Sequence, residues 1–152
     1  MFDPFFGYRY DPFASGANQT FYHHVRNDIF IVNSNKRGGM DWLTRIPKLQ
    51  HTINDRAYFS SFNHSITRDK IVFLFNDHPN NEDLEKRQSY EGKNGIPKLA
   101  SIGLGGELAF ESLGSNQIYG QIIPRSSHQI AADMILLVQS TAKGMKLGLL
   151  SL

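Results

Sequence analysis

The chain has 152 residues, 40% of them hydrophobic and 20% charged, with 16 Lys and Arg against 14 Asp and Glu. That is room for one domain with a buried core, and the scattered charges contain no Lys/Arg block that could follow a phosphate backbone, so nucleic acid is not an expected partner. The absence of cysteine excludes disulfides and thiolate zinc sites, and no apolar run approaches the roughly 20 residues of a membrane-spanning helix.

Residues 1–19 (MFDPFFGYRYDPFASGANQ) have no basic leader and are broken by Asp-Pro steps at 3–4 and 11–12, so they do not read as a signal peptide or a helix. They are expected as an irregular aromatic lead-in lying over a sheet, followed by one domain over 20–152. Strands are predicted at 20–25 and 29–32. A polar turn at 33–39 ends in Gly38-Gly39, where positive φ lets a hairpin close. The returning strand, 40–46, places Met40, Trp42, Thr44 and Ile46 on one face. Trp42 is therefore expected in the core, and Ile46-Pro47-Lys48 ends the hairpin.

An aromatic-rich strand is predicted at 56–62, and the most strongly marked one at 70–75. Ile71-Val72-Phe73-Leu74-Phe75 is an unbroken β-branched and aromatic run, the pattern of a strand buried on both faces. Residues 77–94 form a long polar insertion, with a short helix conceivable only around 82–87. A second Gly-Gly hairpin follows, with strands at 98–104 and 107–113 turning at Gly105-Gly106. Then come a short strand at 118–123 stopped by Pro124, and a final pair at 133–138 and 145–150.

Two units, 20–76 and 95–152, thus share one plan: strand, Gly-Gly turn, strand, an Ile-Pro step with a cation after it, a polar stretch holding a glutamine, then two more strands. The Ile-Pro steps are Ile46-Pro47-Lys48 with Gln50, and Ile123-Pro124-Arg125 with Gln129. Repeated four-stranded units without credible helices predict an all-β, β-propeller-like fold; a β-sandwich is the alternative. At roughly 40–50 residues per blade the chain holds about three blades, fewer than the four of the smallest closed propeller. A fragment, an open arc or assembly with other chains is the expectation, through exposed edges at the first strand and at 145–150.

The same segments carry a family resemblance. Trp42, Ile46, Lys48 and Gln50 within 39–50, Tyr58-Phe59-Ser60-Ser61-Phe62, Phe75-Asn76-Asp77-His78-Pro79-Asn80-Asn81, the hairpin at 99–110, Ile123-Pro124-Arg125 and the closing 146–150 stand in the order of a known pattern. In these the chain resembles the C-terminal part of uncharacterised propeller-like proteins of Bacteroidetes-type bacteria. The resemblance covers about 20–152. It implies a propeller-like fold and a periplasmic or secreted setting, and it carries no activity to transfer.

The motifs that could hold chemistry are few. His23-His24 would point to opposite faces of a strand, which does not suit one metal ion. No GxSxG, HExxH or phosphate-binding loop occurs, and no catalytic residue, metal or cofactor is assigned. Asn76, Asp77 and His78, directly after the central strand, form the richest polar cluster. With Lys48, Gln50 and Arg125 they are the candidate ligand-binding residues, although Asx turn-capping and ties between neighbouring blades account for the same residues. The expected function is a non-enzymatic interaction or ligand-binding module, with a protein partner or self-association through strand edges. A hydrolase acting on glycans or peptides at a propeller face is the alternative.

Overall fold

The computed structural model describes residues 20–81, 86–111, 113 and 120–152. Among them the fold is all-β, in several antiparallel sheets none of which closes on itself. No α-helix occurs among the described residues, and one 3-10 turn spans Pro124–Ser126.

Three sheets build the core. The first is the hairpin β2 (Ile29–Ser34) and β3 (Met40–Ile46). The central sheet runs β5 (Asn63–Ile66), β6 (Lys70–Asp77), β7 (Ile96–Gly103), β8 (Leu108–Glu111) in a simple meander. In the last sheet β11 (Met134–Thr141) lies between β12 (Gly144–Ser151) on one side and both β10 (His128–Ala131) and β9 (Gln121–Ile122) on the other. A separate two-stranded ladder joins β1 (His23–Arg26) to β4 (Gln50–Ile53).

The apolar run in β6 organises the stack. Alternate side chains of a strand point to opposite faces. Phe73 and Phe75 accordingly pack with Ile29, Ile46, Ala100 and Ile102 on the side of the β2–β3 hairpin. Val72 and Leu74 pack with Leu99, Ile122, Ile135, Leu137 and Leu150 on the side of the last sheet. The central sheet is therefore sandwiched, which is why its strand shows no polar alternation. Phe73 and Phe75 are buried as predicted, while Ile71, at the entry to β6, is half-buried.

The two Gly-Gly turns have one geometry. Gly38 N–H donates to Asn35 O at 2.9 Å and Asn35 N–H to Gly39 O at 2.8 Å; Gly106 N–H donates to Gly103 O at 3.0 Å and Gly103 N–H to Glu107 O at 3.1 Å. Only one glycine of each pair, Gly38 or Gly106, takes positive φ, the three-residue hairpin with a left-handed closing residue. The hairpins also touch. Trp42 Nε1 donates to Leu104 O at 3.0 Å and Thr44 Oγ1 to Gly106 O at 2.6 Å, so β3 lies over the β7–β8 end of the central sheet.

Several expected elements differ. The predicted strand at 56–62 is a loop: Arg56, Ala57 and Ser61 have positive φ, and Asp55 coils the chain by accepting from Thr52 Oγ1 and Ala57 N–H at its Oδ1. Its aromatic composition imitates a strand, but the adjoining Asp cap decides the backbone. The strand begins afterwards, at Asn63. The polar stretches around Gln50 and Gln129 are themselves strands, β4 and β10. The first strand starts at His23, the second hairpin's return covers 108–111, and the short strand before Pro124 is Gln121–Ile122. Residues 82–85, where a helix was conceivable, 112 and 114–119, and the lead-in 1–19 lie outside the described residues. The central sheet takes β5 and β6 from the first repeated unit and β7 and β8 from the second, so the repeat boundary falls inside one sheet.

Candidate functional site

The C-terminal end of β6 carries polar residues into the core. Asn76 and Asp77 are fully buried, continuing a strand whose preceding residues are apolar. Burying an amide requires partners for its donors and acceptor, and Asn76 has them. Its Nδ2 donates to Phe59 O and to Ile122 O, both at 2.8 Å, and its Oδ1 accepts from Ile122 N–H at 3.0 Å. One side chain thereby takes the place of a strand neighbour for Ile122 and ties the central sheet to the last.

Gln50 works in the other direction. Its Nε2 donates to Asn76 O at 2.7 Å, and its Oε1 accepts from Ser61 N–H at 2.8 Å and Lys48 Nζ at 2.9 Å. Lys48 Nζ also donates to Arg26 O at 3.0 Å. The lysine is 2% exposed. Burial first, and then the Arg26 guanidinium, lower its ammonium to about 7, against the opposing pull of Asp77 and Asp28. Its two acceptors match the two N–H bonds of a neutral amine.

Asp77 faces away from that pair, into the insertion. Arg87 Nη2 meets its Oδ2 at 2.6 Å and Lys98 Nζ the same oxygen at 3.2 Å. Its Oδ1 accepts from His78 N–H at 2.9 Å and Asn81 Nδ2 at 2.8 Å. Asn81 in turn donates to Gln88 O at 2.8 Å and accepts from Gln88 N–H at 2.6 Å, and Lys98 Nζ also bonds Asn81 O. A buried carboxylate so compensated organises a loop. Tyr90, fully buried, bonds backbone to backbone with Leu49 and His51, and its burial raises its phenol.

Of the six candidate residues, Lys48, Gln50, Asn76, Asp77 and His78 are thus brought to one end of β6. Arg125 is exposed on the 3-10 turn, and no hydrogen bond joins it to this network among the described residues. Only His78 opens onto a cleft, a polar hollow of about 760 Å³ shared with Asn80, Ser89, Glu91 and Lys93. Two residues outside the six candidates do equivalent work. Gln129 Nε2 donates to Ile66 O at 2.8 Å and its Oε1 accepts from Ile66 N–H at 3.1 Å. Asn63 Nδ2 donates to Pro124 O and Ser127 O. The repeated glutamine after each Ile-Pro step was a signal for this, and both glutamines bond backbone of the central sheet; Asn63 and Arg87 had none. His23 finds its partner across the ladder, Nδ1 of His23 and Nε2 of His51 lying 2.8 Å apart, rather than in His24. No group of three or more His, Asp or Glu placed to hold a metal occurs among the described residues.

The outward faces of the stack have a different character. On the first hairpin Phe30, Val32 and Leu43 are each more than half exposed, and Val32 is directly opposite Leu43. On the last sheet Met145, Leu147 and Leu149 are more than half exposed, beside half-buried Leu136 and Val138. Contiguous exposed apolar surface of this kind is a mark of interaction sites.

Comparison with protein-family models, with curated proteins and with solved structures finds no match.

Proposed function

We propose that this chain is a non-enzymatic interaction module of β-propeller-like design, whose two end sheets receive a protein partner. The observation that carries this is the pair of apolar outer faces, Phe30/Val32/Leu43 and Met145/Leu147/Leu149, at opposite ends of a stack whose inner faces are packed. Propeller blades bury both faces against neighbours; here the central sheet does so and the end sheets do so once. The amide ties from Asn76, Gln50 and Gln129 suit blade-to-blade stitching, and the resemblance to propeller-like bacterial proteins points the same way. A ligand-binding role narrows to His78 and its cleft. The hydrolase reading finds less support: Glu91 is the one carboxylate among the cleft's described lining residues, and buried Asp77 beside His78 is occupied by Arg87 and Lys98.

The test is availability of the faces. Paired Val32→Lys/Leu43→Lys and Leu147→Lys/Leu149→Lys variants in dilute solution are expected to lose no more than about 1 kcal/mol of stability, as for exposed positions, while binding of a hydrophobic dye falls. Unfolding of both variants would show that the chain itself covers these faces and would overturn the proposal.

A further inference from the structure

The central sheet shows what a finished sheet of this chain looks like: a strand pair, β5–β6, extended at the β6 edge by the first strand of a Gly-Gly hairpin, β7–β8. The last sheet has the strand pair, β11–β12, with β9 and β10 on the far side of β11; among the described residues it holds no Gly-Gly hairpin and β12 is its edge. The first hairpin, β2–β3, has the same turn geometry as β7–β8 and no strand pair; among the described residues nothing adds to β2. Each end holds the half that the other lacks. Within one chain they cannot meet, because the hairpin packs on the Phe73 face of the central sheet and β11–β12 on the Val72 face.

We infer that a second copy of this chain is the partner, the β2 edge of each copy adding antiparallel to the β12 edge of the other, so that β11–β12 and the partner's hairpin repeat the strand order of β5–β8, with β9 and β10 on the far side of β11. This rests on the interaction-module reading and names its partner. Two copies then provide two central sheets and two composite ones. That makes four blades, the smallest number that closes a propeller, and a two-fold ring is the commonest symmetry of homo-oligomers.

The uncovered surfaces agree with that arrangement. The hairpin is two strands wide, and Trp42 and Thr44 place β3 over the β7–β8 end of the central sheet, so that the hairpin covers the β5 side of the same face less. On that side Phe62 and Ile66 are exposed. Strands added beyond β2 would lie over β5, and the face they would turn toward it is the one carrying Met145, Leu147 and Leu149. Conversely, Phe30 and Val32 would share a face with Lys146 and Leu150 of the other copy.

Because the chain has no cysteine, single introduced thiols report the pairing. Sedimentation velocity across a concentration series is expected to show twice the chain mass, reverting to the single-chain mass in Leu147→Lys and in Val32→Lys. Mixing a Val32→Cys chain with a Lys146→Cys chain and adding a short bismaleimide is expected to link unlike chains, with links between like chains at background. Preferential linking of Lys146→Cys chains to one another would overturn the pairing in favour of β12 against β12. A single-chain mass at every concentration would overturn the second-copy inference, and if the paired lysine variants of the end faces still fold, the interaction-module reading survives with a different partner.

Discussion

Asn76 holds Ile122 by both of its backbone polar groups, Oδ1 on the N–H at 3.0 Å and Nδ2 on the carbonyl at 2.8 Å. The two residues are 46 positions apart, and their contact joins the central sheet to the last where both are buried. Asn76→Ala would orphan Ile122 N–H and two buried carbonyls, each costing about 1–3 kcal/mol, so a loss of about 3 kcal/mol or more in chemical denaturation is expected. Asn76→Asp, nearly the same shape, replaces the donor by a second acceptor facing those carbonyls and is expected to cost at least as much at neutral pH.

Gly106 and Trp42 provide a second probe. A Cβ on Gly106 would lie 2.8 Å from Cδ2 of Trp42, at a φ of +89°; Gly38, at +80°, has nothing within 4 Å. Gly38→Ala therefore isolates the backbone cost, about 1 kcal/mol or somewhat more, and Gly106→Ala adds displacement of the indole. Trp42 is the one tryptophan. Its emission should shift to the red in Gly106→Ala as the contact with Leu104 O is lost, and stay in place in Gly38→Ala.

Lys48 gives a pH dependence with a defined sign. Its folded pKa of about 7 lies below its ordinary value of 10.5, so between these pH values the unfolded chain binds the extra proton. The destabilisation from burying the ammonium is complete below pH 7 and disappears as pH rises toward 10.5. One proton contributes a slope of at most about 1.4 kcal/mol per pH unit. Lys48→Met is expected to flatten the rise of stability between pH 7 and 10 in urea titrations; an unchanged slope would assign it to other groups.

Phe73 is expected to behave as a core aromatic. It is buried among Ile29, Ile46 and Phe75, and Phe73→Ala should cost about 3–5 kcal/mol. A loss below about 1 kcal/mol would contradict the sandwiching of β6.

What could be read from the residues follows from these contacts. The run 71–75 declares itself because both of its faces are buried, and Gly38 and Gly106 because their turns require positive φ. The strands at Gln50 and His128 were illegible because their side chains serve hydrogen bonds instead of an apolar face. The segment 56–62 misled for the opposite reason: Tyr58, Phe59 and Phe62 have strand-like composition, but Asp55 bonds the backbone into a coil. Lys48, Gln50 and Asn76 stood out by their repeated or clustered positions, whereas Arg87 meets Asp77 only through the fold of the insertion, and Lys98 only through the β6–β7 pairing.

Hydrogen exchange read by mass spectrometry at several protein concentrations distinguishes a stack that is closed in the middle and open for addition at both ends from one closed throughout. Amides of β6 and β7 should be the slowest at every concentration, since both faces and both edges of these strands are covered. Those of β2 and β12 should exchange faster in dilute solution and gain protection as concentration rises. Equal protection of β12 and β6 at the lowest concentration, unchanged on concentrating, would contradict the account.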